Sequence, residues 1–129
     1  MSKPILIDTS AWIEALRPEG DEAVRREVRA ALEDGAAVFC DLVLLELWNG
    51  ARGPRERRYL EELERELDVV PTTDEVWERS RDLARRCRSE GATIPATDLL
   101  IAACAEHHGA TLLHRDDHFD RIREATARR

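Results

Sequence analysis

Lysine is almost missing from this chain. Of its 20 basic residues 19 are arginine, and Lys3 is the only lysine. A phosphate-binding loop of the GxxxxGK type therefore has no candidate. The receiver and haloacid-dehalogenase chemistries, which set a late-chain lysine beside an aspartate, have none either. Cysteine is scarce and odd in number: Cys40, Cys87 and Cys104 show no CxxC spacing. That excludes a disulfide frame and a cysteine-built zinc site, and the three read as buried apolar fillers. No apolar run approaches the ~18 residues needed to span a bilayer. The apolar stretch near the start, Ile5-Leu6-Ile7, is too short for a secretory signal, so the expected location is the cytoplasm. Positive charge is also in deficit, with 27 acidic residues giving a net charge of −7. A protein that grips nucleic acid mainly by covering phosphates is basic. Any nucleic-acid contact here must be local or mediated by metal.

What is present suits an ordinary globular domain. Apolar residues make up 43% of the 129 and charged residues 36%, which excludes collagen-like and low-complexity chains. One domain, residues 1–129, is expected, and a chain of this length buries about two-thirds of its unfolded surface. Strand and helix patterns alternate. Pro4 to Ile7 is a short buried strand ending at Asp8, and Thr9 to Leu16 is a short helix. Val24, Val28, Ala31 and Leu32 mark one face of a helix over 21–34, ended by Gly35. Ala36 to Cys40 is a second strand, and Asp41 caps a helix to about Asn49. Leu60, Leu63 and Leu67 give a surface helix over 55–67, followed by a minimal strand over 68–70. Thr73 or Asp74 caps the next helix, whose buried stripe is Val76, Leu83, Ala84 and Cys87. Thr93-Ile94 reads as a further very short strand. A helix follows from Thr97-Asp98 to about His108, then a strand over 110–113, a loop over 114–118, and a last helix over 119–127. This order predicts an α/β fold: a three-layer α/β/α sandwich around a short parallel sheet.

Ligands in such sheets bind beyond the carboxyl ends of the strands, where strand order reverses. Four acids are placed for that edge. Asp8 directly follows the first strand, where it reads as a metal ligand rather than only an N-cap. Glu46 lies in Leu42-Val-Leu-Leu-Glu-Leu-Trp48, a helix apolar on nearly every side. A lone buried carboxylate there costs several kcal/mol unless it is paired with an arginine or holds a metal. Asp98 opens Leu99-Leu-Ile-Ala-Ala-Cys-Ala105, another apolar helix, where a capping acid is also common. Asp116 lies just beyond the last strand, where many acids are simply solvated. Three or four carboxylates converging at one edge repel each other without a cation. Oxygen ligands suit Mg²⁺ or Mn²⁺ and disfavour zinc. Such a centre meets the needs of phosphodiester hydrolysis.

At these residues the chain resembles the PIN-domain ribonucleases, and within them the VapC-type toxins of toxin–antitoxin pairs. Ile7-Asp8-Thr9-Ser10 is similar to the family's opening motif, and Glu46-Leu-Trp-Asn-Gly50 to its ELxxG helix. Ala96-Thr-Asp98 is similar to its third motif, and Leu112-Leu-His-Arg-Asp116-Asp-His-Phe119 to its closing one. The resemblance spans nearly the whole chain. It departs at one place, since many members carry an aspartate directly before the final Phe, where this chain has His118; Asp117 stands beside it. The resemblance implies that Asp8, Glu46, Asp98 and Asp116 bind Mg²⁺ or Mn²⁺ and activate water. That water would attack an RNA phosphodiester in line, leaving a 5′-phosphate and a 3′-hydroxyl. It implies that Ser10 and Thr9 hydrogen-bond the site or its substrate. It also implies a homodimer, and a VapB-type antitoxin that often inserts an arginine among the acids.

Other residues carry two readings each. Arg115 either touches substrate or neutralises Asp116. Arg52, Arg55, Arg57 and Arg58 either hold RNA phosphates or form a solvated face with Glu56, Glu61 and Glu62. His107-His108 read as a polar helix end. Trp12, Trp48 and Trp77 read as core or interface. Two competing functions remain open: a catalytically idle PIN-like binding module, and a different Mg²⁺-dependent phosphodiesterase acting, for example, on DNA flaps. Intact acids argue against the first, and the absence of room for helical insertions argues against the second.

Overall fold

The structure, a computed structural model, describes residues 3–127. Ile5–Ile7 forms β1, Thr9–Leu16 α1 and Glu22–Glu33 α2. Ala37–Cys40 is β2, Asp41–Asn49 α3 and Gly53–Glu66 α4. Val69–Val70 is β3, Asp74–Ser89 α5 and Ala96–His107 α6. Thr111–Leu113 is β4 and Asp117–Ala127 is α7. The four strands make one parallel sheet in the order β3-β2-β1-β4. The expected α/β class and parallel sheet are present, with helices flanking the sheet.

The strand order matters for function. The chain steps outward from β1 to β2 to β3, then returns past both to lay β4 on the far side of β1. The reversal falls between β1 and its two neighbours, so the crevice opens beyond the carboxyl ends of β1 and β4. The register aligns those ends, pairing Ile7 with Leu113. One step further, the Asp8 N–H donates to the Leu113 carbonyl at 2.9 Å.

Leu6 and Ile7 are fully buried, as are Trp12 and Phe39, which stack with ring centroids 5.4 Å apart. This stack locks α1 onto β2 and so fixes the turn that carries Asp8. At about 25 cal/mol per Å² of apolar surface, burying such rings is worth a few kcal/mol each. Helices α5, α6 and α7 pack on one another, and α1 packs on α2. All three cysteines are buried free thiols, as their scarcity suggests. Gly35 takes φ +67° at the end of α2, a left-handed conformation that a side chain would resist.

Several boundaries differ from the sequence reading. Thr93-Ile94 is not a strand. Ile94 is buried, but it serves as an apolar anchor in the loop between Gly91 and Pro95. Pro95, which has no N–H to donate to a ladder, is instead the N-cap of α6. Helix α4 begins at Gly53 rather than Arg55, because Pro54 suits the first turn. Helix α7 begins at Asp117, inside the expected loop, because Asp116 acts as its cap. Helix α3 is not apolar all round: Leu45 is 64% exposed, and Glu46 is half-buried rather than buried.

Candidate active site

Asp8 is 3% exposed and ends β1 at the reversal point. It is also the N-cap of α1. Its Oδ2 accepts from the Ser10 N–H at 2.9 Å and from the Ser10 hydroxyl at 2.6 Å. Capping and ligation are therefore not alternatives here. Oδ2 is committed to the cap, while Oδ1 accepts no hydrogen bond among the described residues. The Ser10 hydroxyl also accepts the Arg115 backbone N–H at 2.9 Å. Ser10 thus clamps the turn after β1 to the loop after β4.

Asp98 stands in the first turn of α6, but its carboxylate does not cap that helix. Pro95 occupies the cap position with no side-chain bond, and Asp98 Oδ2 lies 2.8 Å from His118 Nδ1. The same ring nitrogen lies 3.1 Å from Asp116 Oδ1. Asp116 in turn accepts the His118 backbone N–H at 2.9 Å, as an N-cap of α7 does. One ligand atom from each of Asp98, Asp116 and His118 falls within 4.8 Å of the others. Burial holds the Asp98 carboxyl above its ordinary range, the His118 contact pulls it down, and the charges of Asp116 and Asp8 push it up again. The acids therefore feel one another as like charges in one pocket.

Glu46 and Asp8 lie outside that triangle of donors. Glu46 Oε1 accepts the Thr9 hydroxyl at 2.7 Å, and no arginine pairs with it among the described residues. Thr9 and Glu46 line a small cleft of about 80 Å³ together with Ile13, Arg17 and Leu47. Thr9 is thus the bridge between the Asp8 turn and α3. The Arg115 side chain is drawn away from Asp116 to an ion pair with Asp21, which is why its charge does not neutralise the acid cluster. Arg52, Arg55, Arg57 and Arg58 are exposed and form no ion pair among the described residues. The residue that the sequence placed worst is His118. It looked like a departure from a motif, and it stands between two of the four acids. Its position two residues after Asp116, at the start of a helix, was the available signal.

A divalent ion held at about 2.1 Å keeps cis donors about 3 Å apart. The 2.8 and 3.1 Å separations around His118 Nδ1 match that edge. Two carboxylates and an imidazole at these spacings are consistent with metal binding.

The PIN domain pattern matches residues 5–125. Ribonuclease VapC11 of Mycobacterium tuberculosis is 37% identical over 126 residues, covering 95% of this chain and 93% of the relative. The chain is a PIN domain of the VapC ribonuclease family. The crystal structure of FitAcB from Neisseria gonorrhoeae has the same fold, with a TM-score of 0.76 and 27% identity over 92% of this chain and 93% of that one. VapBC-5 from Mycobacterium tuberculosis, a member of the VapBC family of toxin–antitoxin systems, shares the fold at a TM-score of 0.66. It is 22% identical over 92% of this chain and 90% of that one. No helix of this PIN domain, among the described residues, is long and apolar enough to cross a membrane.

Proposed function

We propose that this PIN domain is a Mg²⁺- or Mn²⁺-dependent endoribonuclease and the toxin of a cytoplasmic toxin–antitoxin pair. The observation that carries this reading is the convergence of Asp98, Asp116 and His118 at the reversal point of the sheet, with Asp8 beside them. When bound, a divalent cation supplies the positive charge this pocket lacks and makes water nucleophilic at neutral pH. Asp8 offers Oδ1 to that cation while Ser10 holds its other oxygen still. Asp98 and Asp116 supply the remaining carboxylates. Glu46, held by the Thr9 hydroxyl, would orient water for in-line attack on an RNA phosphodiester. The products would be a 5′-phosphate and a 3′-hydroxyl. Net charge of −7 is no obstacle, because the bound cation and not the surface meets the phosphate.

A homodimer and a VapB-type antitoxin complete the proposal. Exposed Leu45 on α3, adjacent to Glu46, gives both a surface to cover. Expression of the wild-type chain without antitoxin is expected to arrest growth and to leave new 5′-phosphate ends in cellular RNA. Asp8→Asn, still folded, is expected to do neither. Undiminished arrest by a folded Asp8→Asn protein would contradict the proposal.

A further inference from the structure

His118 stands two residues beyond Asp116, in the first turn of α7. Its placement is built by the local frame. Asp116 caps α7 through the His118 N–H, and the next residue, Phe119, is 4% exposed and packs against the His114 ring at 4.9 Å. Cap and anchor together leave the imidazole little freedom, and its Nδ1 lies between Asp98 Oδ2 at 2.8 Å and Asp116 Oδ1 at 3.1 Å.

One nitrogen bears at most one proton. A single N–H satisfies one carboxylate well, and two from different helices only by bifurcation. A shared cation satisfies all three groups at once. The separations equal the cis edge of an octahedral site with ligands at about 2.1 Å. The three donors also lie within 4.8 Å of one another, close enough to reach one ion. The chemistry of the donor then has a consequence. Mg²⁺ prefers oxygen ligands and retained water, whereas an imidazole nitrogen favours the first-row transition ions, whose affinities rise from Mn²⁺ onward.

We propose that His118 ligates the active-site cation directly through Nδ1, and that this nitrogen makes the site select Mn²⁺-class ions over Mg²⁺. The proposal rests on the metal-centre reading above and sharpens it. Glu46 and Asp8 keep their assigned places. Asp117, the exposed neighbour, takes no part.

Pulsed electron paramagnetic resonance of the full chain loaded with one equivalent of Mn²⁺ tests it. The expected result is a ¹⁴N modulation from a directly bound nitrogen, replaced by a ¹⁵N signal when histidine is ¹⁵N-labelled. The signal should vanish in His118→Gln and persist in His114→Gln. In His118→Asp, which keeps a ligand but removes the nitrogen, the Mn²⁺-over-Mg²⁺ preference measured by competition should fall about tenfold or more. Mn²⁺ that binds, and whose binding is weakened by Asp98→Asn, but shows no nitrogen modulation in wild type would overturn the proposal and leave the metal centre standing. A modulation that survives His118→Gln would overturn it equally. Mn²⁺ that fails to bind, or that binds indifferently to Asp98→Asn and Asp116→Asn, would overturn both. The labelled wild-type measurement needs no variant to fold.

Discussion

Asp98 shows how one side chain carries two opposed demands. Its side chain is 13% exposed, and burial is the chief reason its carboxyl lies above the ordinary value of 3.8; Asp116 and Asp8 add to the effect while His118 opposes it. A carboxyl raised in the folded state binds more protons there than in the unfolded chain. Its ionisation therefore costs stability, and the cost grows as pH rises from about 3.8 through the raised folded value. In EDTA at pH 7, Asp98→Asn should melt above wild type, and the gap should close as pH falls below 4. Saturating Mn²⁺ should raise the wild-type melting temperature by mass action and raise the variant's less. Melting curves at several pH values check this, and an Asn variant that melts below wild type in EDTA at pH 7 would contradict it. The residue types and spacing of all four acids were readable in the sequence because charge is anomalous at a sheet's edge. What was not readable was which oxygen does what. Asp8 commits Oδ2 to a helix cap and leaves Oδ1 without a hydrogen bond among the described residues, a division that only coordinates reveal.

Helices α1 and α7 begin in the same way, each at an acid just past a strand, and the two starts are tied by one hydroxyl. Ser10 donates to Asp8 and accepts from the Arg115 backbone. Ser10→Ala removes both bonds. The expected cost is about 1 kcal/mol of unfolding free energy, in the range of lost N-caps, together with slower RNA cleavage because Asp8 is no longer held. Urea unfolding and a cleavage assay on the same preparation check it; wild-type stability and rate together would contradict the clamp. The sequence located nearly every element, since long amphipathic stripes such as Val24, Val28 and Ala31 in α2 leave little choice of period. Short apolar pieces were ambiguous. Ile94 is buried without a strand, because burial alone does not supply a ladder partner. Likewise α3 looked apolar on all sides, yet Leu45 faces outward, which a run of leucines cannot disclose.

In the molecule as a whole, topology gathers what sequence scatters. Asp8 and Asp116 are far apart in the chain but follow adjacent strands, β1 and β4, whose ends are paired. The sheet edge and the acidic net charge fit the proposed function together, because a bound cation would meet the phosphate in place of a basic surface. The outward Leu45 bears on assembly. Light scattering at tens of micromolar should show a dimer, and Leu45→Glu should shift it toward monomer with its circular dichroism unchanged; a monomeric wild type would contradict the homodimer. The fold class was legible because it depends on patterns of charge and apolarity, and so was the nearness of Asp98 and Asp116, while Glu46 and Asp8 lie outside their group. The place of His118 was not, because it depends on how α7 starts relative to α6, a contact across 20 residues. The decisive assay is the rate of RNA cleavage by the purified chain in EDTA and after addition of Mg²⁺ or Mn²⁺, beside Asp116→Asn under the same conditions. The wild type should be inactive in EDTA and recover with either ion, and Asp116→Asn should remain at least about a hundredfold slower. Cleavage that persists in EDTA, or an Asp116→Asn protein that cuts at the wild-type rate, would contradict a metal-dependent ribonuclease centred on these acids.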